Sequence, residues 1–188
     1  MIKKYNQYIK EHKHLDIDPY GEEDWDDDNL SPLLQLVRKN GKPYDQITKL
    51  YCSFSQLTSL DGAQNLINLT LLSIGNNQIT SLYGIENLTN LERLYCSDNR
   101  LTNLNGIENL TNLDLLACSN NQLTSLEGIE NLINLKYLYC SGNQLANLDG
   151  IENLTNLKQL YCWNNQFSDE YDSYMKKYCK SKKITYNV

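Results

Sequence analysis

The most reactive side chains in this sequence are six cysteines, and five of them fall on a fixed spacing. Cys52, Cys96, Cys118, Cys140 and Cys162 stand at multiples of 22 residues from one another, and only Cys179 lies outside the series. Thiols can ligate a metal, pair as disulfides or act as nucleophiles. A structural zinc site needs four ligands converging on a tetrahedron, whereas a constant interval delivers a line. A nucleophile needs a base beside it, and the two histidines, His12 and His14, lie in a Lys-rich N-terminal stretch far from the series. No G-x-S-x-G, H-E-x-x-H or P-loop pattern occurs. The expectation is no enzyme, no metal and no cofactor, with Cys serving as a small buried hydrophobe.

Two further patterns invite chemistry. Asp24, Asp26 and Asp28 match the first three ligand offsets of a calcium loop. Asn29 then stands where that loop needs Gly, and Gln35 where it needs a bidentate Glu. The run from Glu22 to Asp28 therefore reads as a solvated acidic loop, with docking of a basic partner as its functional alternative. Sequons for N-glycosylation begin at Asn29, Asn68, Asn87, Asn109 and Asn153. All but the first are products of the repeat described below.

Composition narrows the classes. The chain has 188 residues, a net charge of −6, a pI of about 4.9 and a mean hydropathy of −0.56. No apolar run approaches the ~20 residues of a membrane span. An acidic chain lacks the clustered Lys and Arg that phosphate contacts need, so no nucleic acid partner is expected. The N-terminal MIKKYNQYIKEHKH has no apolar stretch of the kind a secretory signal carries. These features predict a monomer in the reducing cytoplasm, where thiols stay free and sequons stay unmodified.

What positions the cysteines is a repeat. Rows begin at Ile47, Leu69, Leu91, Leu113, Leu135 and Leu157, each 22 residues after the last. Five full rows and half of a sixth fit without a gap. Leu or Ile recurs in columns one, four, eleven, fourteen, seventeen and twenty, for example Leu91, Leu94, Leu101, Leu104, Ile107 and Leu110. Cys takes column six. A single row cannot enclose a core, but stacked rows can, each burying its apolar edge on the next. The alternating L-x-x-L-x-C stretch suits a short strand with columns four and six inward. Strands from successive rows would pair in parallel. Asn fills column nine at Asn77, Asn99, Asn121, Asn143 and Asn165; its amide can satisfy backbone groups at the bend, as a ladder along the array. Gly in column sixteen marks a backbone position that disfavours a Cβ. The GIENL segment is long enough for about one turn of helix, of 3₁₀ type.

The pattern L-x-x-L-x-C-x-x-N-x-L-x-x-L-x-G-I-E-N-L-x-N resembles the leucine-rich repeat. Its length is similar to the subclass found in bacterial internalins and in the regulatory subunit of protein phosphatase 1. Its Asn-, Ile- and Tyr-rich style resembles leucine-rich-repeat proteins of low-GC bacteria and giant amoebal DNA viruses. The resemblance covers about 47–168. It implies an α/β repeat fold: a leucine-rich-repeat solenoid with a parallel concave β-sheet, short 3₁₀ or irregular convex segments, and helical caps at both ends. Ser55 in place of Asn, with Phe54 beside it, makes the first row transitional, and Ile74 replaces Cys in the second. Internalins are exported and often carry surface-attachment signals, which this sequence does not display.

Both flanks suit caps. Residues 1–46 read as an N-terminal helical cap with the acidic loop. Within them Ser31-Pro32 and Gly41 bracket a helix as N-cap, first-turn Pro and C-terminal stop, and residues 1–15 could supply another. Residues 169–188 read as a capping helix over about 169–180 plus a tail. Ser168 is its N-cap, and Tyr171, Tyr174, Met175 and Tyr178 share one face.

With columns four and six inward, columns three, five and seven point outward on the concave sheet. That face carries Tyr95, Tyr137, Tyr139, Tyr161 and Trp163, with Arg93 and exposed Leu71 and Leu115. Tyr, Trp and Arg are common interface anchors, although Tyr also favours strands for structural reasons, and Trp163 could instead pack under the C-terminal helix. The expected function is a non-enzymatic protein-protein interaction scaffold that binds a protein or peptide on this face. The resemblance adds two alternatives, a regulatory subunit of a phosphatase or other enzyme and an internalin-like surface adhesin.

Overall fold

The computed structural model describes residues 31–39 and 43–187. The sequence readings for 1–15, for the acidic run from Glu22 to Asp28, and for His12 and His14 lie outside the described residues.

Among the described residues seven three-residue strands form one parallel sheet in chain order. They are β1 (Lys49–Tyr51), β2 (Leu71–Ser73), β3 (Arg93–Tyr95), β4 (Leu115–Ala117), β5 (Tyr137–Tyr139), β6 (Gln159–Tyr161) and β7 (Thr185–Asn187). The central residue of each of the first six is a fully buried leucine, and these stand in register from Leu50 through Leu72, Leu94, Leu116 and Leu138 to Leu160. Alternation puts the flanking residues of each strand on the opposite face. The fold is thus the solenoid that the columns predict: one coil per 22 residues, with the leucine columns as its core. In the fourth coil Leu113, Leu116, Cys118, Leu123, Leu126 and Ile129 are all at most 2 % exposed. Burial of each such side chain stabilises by about 1.5–3 kcal/mol, which no isolated coil could collect.

Each coil turns at two fixed places. Column eight adopts positive φ throughout, at Asn76, Asp98, Asn120, Gly142 and Asn164, and also at Phe54. Asn, Asp and Gly tolerate this left-handed region and Phe does not. Column sixteen is the second, where Gly84 has φ +104° and Gly106 +106°. A Cβ on Gly84 would lie 3.0 Å from the Leu60 carbonyl oxygen of the preceding coil. The amides of Gly84, Gly106, Gly128 and Gly150 each donate to the Glu carboxylate two residues on, at 2.8–3.0 Å. That is why Glu recurs in GIEN: it closes the turn. Where the turn tightens it is 3₁₀, as at Ile129–Asn131 and Ile151–Asn153.

Two amide ladders tie the coils together. Asn121 Nδ2 donates to the Cys118 carbonyl of its own coil (3.0 Å) and to the Cys96 carbonyl of the coil before (3.1 Å), while its Oδ1 accepts from Leu101 N–H (3.0 Å). Asn77, Asn99, Asn143 and Asn165 repeat this arrangement. Each Asn reaches back to the carbonyl of the preceding coil, and among the described residues no coil precedes the first, where Ser55 stands at that position. A second ladder runs through column twenty-two: Asn90, Asn112, Asn134 and Asn156 each donate to a carbonyl of the preceding coil, at 2.8–3.1 Å.

The ends are covered. Helix α1 (Pro32–Arg38) is capped by Ser31, whose Oγ accepts from Leu34 N–H. It buries Leu33 and Val37, and Leu34 lies over Gly62, where a Cβ would come within 2.3 Å of its Cγ. Helix α2 (Asp169–Lys182) is capped by Ser168 Oγ. Its inward face is Tyr171, Met175, Tyr178 and Cys179; Tyr174, expected on that face, is exposed. The chain then reverses at Lys183, in the left-handed region, and adds β7 beside β6, pairing Leu160 with Tyr186. The sequence reading assigned only a tail there. Tyr186 Oη donates to Asp172 Oδ1 and ties β7 to α2 within the cap, while Leu148 N–H donates to Tyr171 Oη and fastens α2 to the fifth coil.

Candidate functional site

The outward columns of the sheet bring the sequence-selected residues onto one face. Tyr95, Tyr137, Tyr139 and Tyr161 are half-buried there, and Arg93 is exposed. Trp163 is 49 % exposed rather than packed beneath α2. Leu115 is half-buried. Leu71 corrects an expectation: it is 7 % exposed, not free on the surface. Its in-register neighbours are Lys49 and Arg93, whose long aliphatic stems cover a shorter side chain between them. Lys49 and Tyr51 belong to the same face and were legible from their columns, though they were not among the selected site residues.

Tyr139 and Tyr161 stack in adjacent strands, with centroids 5.2 Å apart and planes 15° from parallel. Tyr139 Oη donates to Gln159 Oε1 at 3.1 Å. Partial burial, followed by the neighbouring phenols of Tyr161, Tyr137 and Tyr95, holds the Tyr139 hydroxyl above its ordinary pKa, so it remains a neutral donor. In the same column one coil before Trp163, Ser141 is 2 % exposed and its hydroxyl has no hydrogen-bond partner among the described residues.

At one border of this face a polar groove of about 550 Å³ runs across five coils, lined by Asn68, Asn90, Glu92, Asn112, Asp114 and Lys136 among others. Asp114 sits between Arg93 (3.7 Å) and Lys136 (3.6 Å). These long, solvated contacts contribute little to stability but orient Arg93 along the groove.

The five column-six cysteines lie on the other side of the sheet, and Cys179 is on the buried face of α2. Cys96, Cys118 and Cys140 are fully buried, and all six cysteines are free thiols. Burial pushes the Cys118 thiol up to about 12 and Cys179 to about 11. A protonated, enclosed thiol is neither a nucleophile nor a ligand. Among the described residues no group of three or more His, Cys, Asp or Glu side chains could hold a metal, and no helix is long and apolar enough to cross a membrane.

The sequence pattern of the family Leucine Rich repeats (2 copies) matches residues 89–131 and 133–173. The chain carries leucine-rich repeats and folds as a leucine-rich-repeat solenoid. Its solenoid is structurally close to internalins and other bacterial leucine-rich-repeat proteins. An internalin, InlF of Listeria monocytogenes, superposes with a TM-score of 0.70 at 26 % identity over 76 % of this chain and 41 % of its own. A leucine-rich-repeat protein of Leptospira interrogans gives 0.72 at 32 % identity over 77 % of this chain and 38 % of its own. The functional domain of InlJ from Listeria monocytogenes, described as including a cysteine ladder, gives 0.63 at 35 % identity over 67 % and 27 %. This leucine-rich-repeat chain therefore spans less than half the length of each of these three proteins. No curated protein matches the sequence.

These comparisons overturn the expectation of a cytoplasmic protein. The similar structures are internalins and the ectodomain of a plant membrane receptor kinase, which work outside the cytoplasm. The sequence argument failed because it rested on the absence of a signal, whereas a solenoid core is indifferent to compartment.

Proposed function

We propose that the protein is a non-enzymatic scaffold that holds a protein or peptide partner against the concave sheet. The observation that carries this reading is the aromatic strip itself. Tyr139 and Tyr161 form a rigid stack beside the exposed Trp163, and Tyr137 and Tyr95 extend it along the solenoid. Such side chains bury much area at low entropic cost and keep a polar group for the partner. Arg93 and Leu115 complete the contact set. Leu71 contributes as floor rather than as an anchor. The test is the triple variant Tyr95→Ala, Tyr139→Ala, Trp163→Ala. It keeps native far-ultraviolet circular dichroism and loses the partners that the parent protein captures. An unchanged capture profile would overturn the reading.

A second reading is favoured by the similarity to internalins: the scaffold is a surface adhesin. Detection of the protein outside the cell that makes it supports this, and confinement to the cell interior removes it. The regulatory-subunit alternative is separated from both by co-purification of an enzyme activity with the parent protein.

A further inference from the structure

The polar groove along the border of the sheet lies outside the aromatic strip. It has a volume of about 550 Å³, and every side chain that lines it is polar. One side of it is the sheet continued by one residue. Glu92 N–H donates to the Thr70 carbonyl, Asp114 N–H to that of Glu92 and Lys136 N–H to that of Asp114, at 2.8–2.9 Å. Strand spacing therefore holds along the groove, and from the first coil to the fifth it is about 19 Å long.

The other side is an amide ladder. Asn68, Asn90, Asn112 and Asn134 each donate one Nδ2 hydrogen to a backbone carbonyl 23 residues earlier, at 2.7–3.1 Å. That bond fixes the amide in place. Each Oδ1 accepts from no donor among the described residues, and each amide keeps a second hydrogen. The groove thus offers a fixed row of acceptors and donors, one amide per coil, with the exposed Glu92 carboxylate beside it.

Charge and composition discriminate among ligands. Asp114 lies 3.6 Å from Lys136 and 3.7 Å from Arg93 at the groove's edge. With Glu92, that makes two charges of each sign and a groove near neutral. A polycation meets Lys136 and a polyanion meets Glu92, and neither gains from the balance. A peptide draws much of its affinity from apolar and aromatic anchors, and no apolar side chain lines the groove to receive them. A neutral chain of hydroxyl groups needs what is present: oxygens and amide hydrogens already held in position, so that no polar group is buried unpaired. We infer that the groove binds a neutral oligosaccharide lying along the solenoid axis. Its hydroxyls donate to Glu92 and to the Oδ1 atoms of the Asn row, and accept from the remaining amide hydrogens. Binding here does not depend on the tyrosine strip of the concave face.

The probes are cellotetraose, chitotetraose, maltotetraose and mannotetraose, titrated into the whole chain by isothermal calorimetry. Saturable binding of at least one is expected, with its monosaccharide weaker by about tenfold or more, because the amide row repeats once per coil. Glu92→Ala and Asn112→Leu should each weaken binding by about tenfold. Both side chains are exposed, and urea unfolding of each variant separates loss of fold from loss of site. No binding of any of the four, equal binding of tetrasaccharide and monosaccharide, or indifference to either substitution in a folded variant would overturn the inference. Tetralysine binding as tightly as the best sugar would overturn it too, since the groove would then select cations. Loss of sugar binding in Trp163→Ala with retention in Glu92→Ala would put the sugar on the concave face, and the groove would lose its ligand while the aromatic strip kept a role.

Discussion

Tyr139 and Tyr161 occupy the same column one coil apart, and their rings stack at 5.2 Å with 15° between planes. The spacing is close to that of the strands beneath them, so strand pairing imposes the stack. Aromatic pairs contribute about 0.5–1.5 kcal/mol beyond their buried area. A double-mutant cycle of Tyr139→Leu and Tyr161→Leu, followed by urea unfolding, should return a coupling of about 1 kcal/mol. A coupling near zero would mean that the two rings are held by the backbone alone.

The Asn ladder is expected to be the most sensitive polar feature. Asn121→Ala leaves the buried Leu101 amide without its partner and removes one of two amide donors from each of the Cys96 and Cys118 carbonyls, which keep Asn99 and Asn143. An unsatisfied buried group costs about 1–3 kcal/mol, so the variant should lose about 2 kcal/mol in urea unfolding. Asn121→Asp should be no better at neutral pH, since it offers a carboxylate to two carbonyl oxygens.

Phe54 provides the opposite case. It holds φ +60° in a column where the later coils place Asn, Asp or Gly, and its side chain is 55 % exposed. Phe54→Asn should therefore stabilise the protein, by about 1 kcal/mol. Thermal unfolding of the single variant checks this, and a lower midpoint would show that the exposed ring packs usefully.

The thiols predict an alkaline limit. Cys118 titrates near 9.0 when unfolded and is pushed up to about 12 by burial in the fold. Below about pH 9 both states hold the proton and the full stability is present. Above it the unfolded chain releases the proton while the folded chain keeps it, so stability falls as pH rises toward about 12, by at most about 1.4 kcal/mol per pH unit for each thiol. Urea unfolding at several alkaline pH values should show this decline, and Cys118→Ala should make it shallower. Iodoacetamide labelling of the native protein near neutral pH should leave Cys96, Cys118 and Cys140 unmodified until it unfolds.

Much of the architecture was legible because the repeat reports the same physical requirement in every coil. A leucine in column four, an Asn in column nine and a Gly in column sixteen each answer to one local environment, so their recurrence fixes strand, bend and turn at once. The same periodicity hid other features. Glu in GIEN and Asn in column twenty-two recur just as faithfully, but their roles depend on which backbone amide or carbonyl the stacked coil presents. The left-handed bend at column eight was likewise written as Asn, Asp and Gly without being read.

The sequence by itself determined the 22-residue coil, the inward columns and the composition of the outward face, because those follow from periodicity and burial within one coil. Tertiary structure decided what neighbours do to one another. It covered Leu71 between Lys49 and Arg93, left Trp163 in solvent, stacked Tyr139 on Tyr161, and turned the chain after α2 into a seventh strand. These outcomes depend on contacts between coils and with the cap, and such contacts exist only once the coils are stacked.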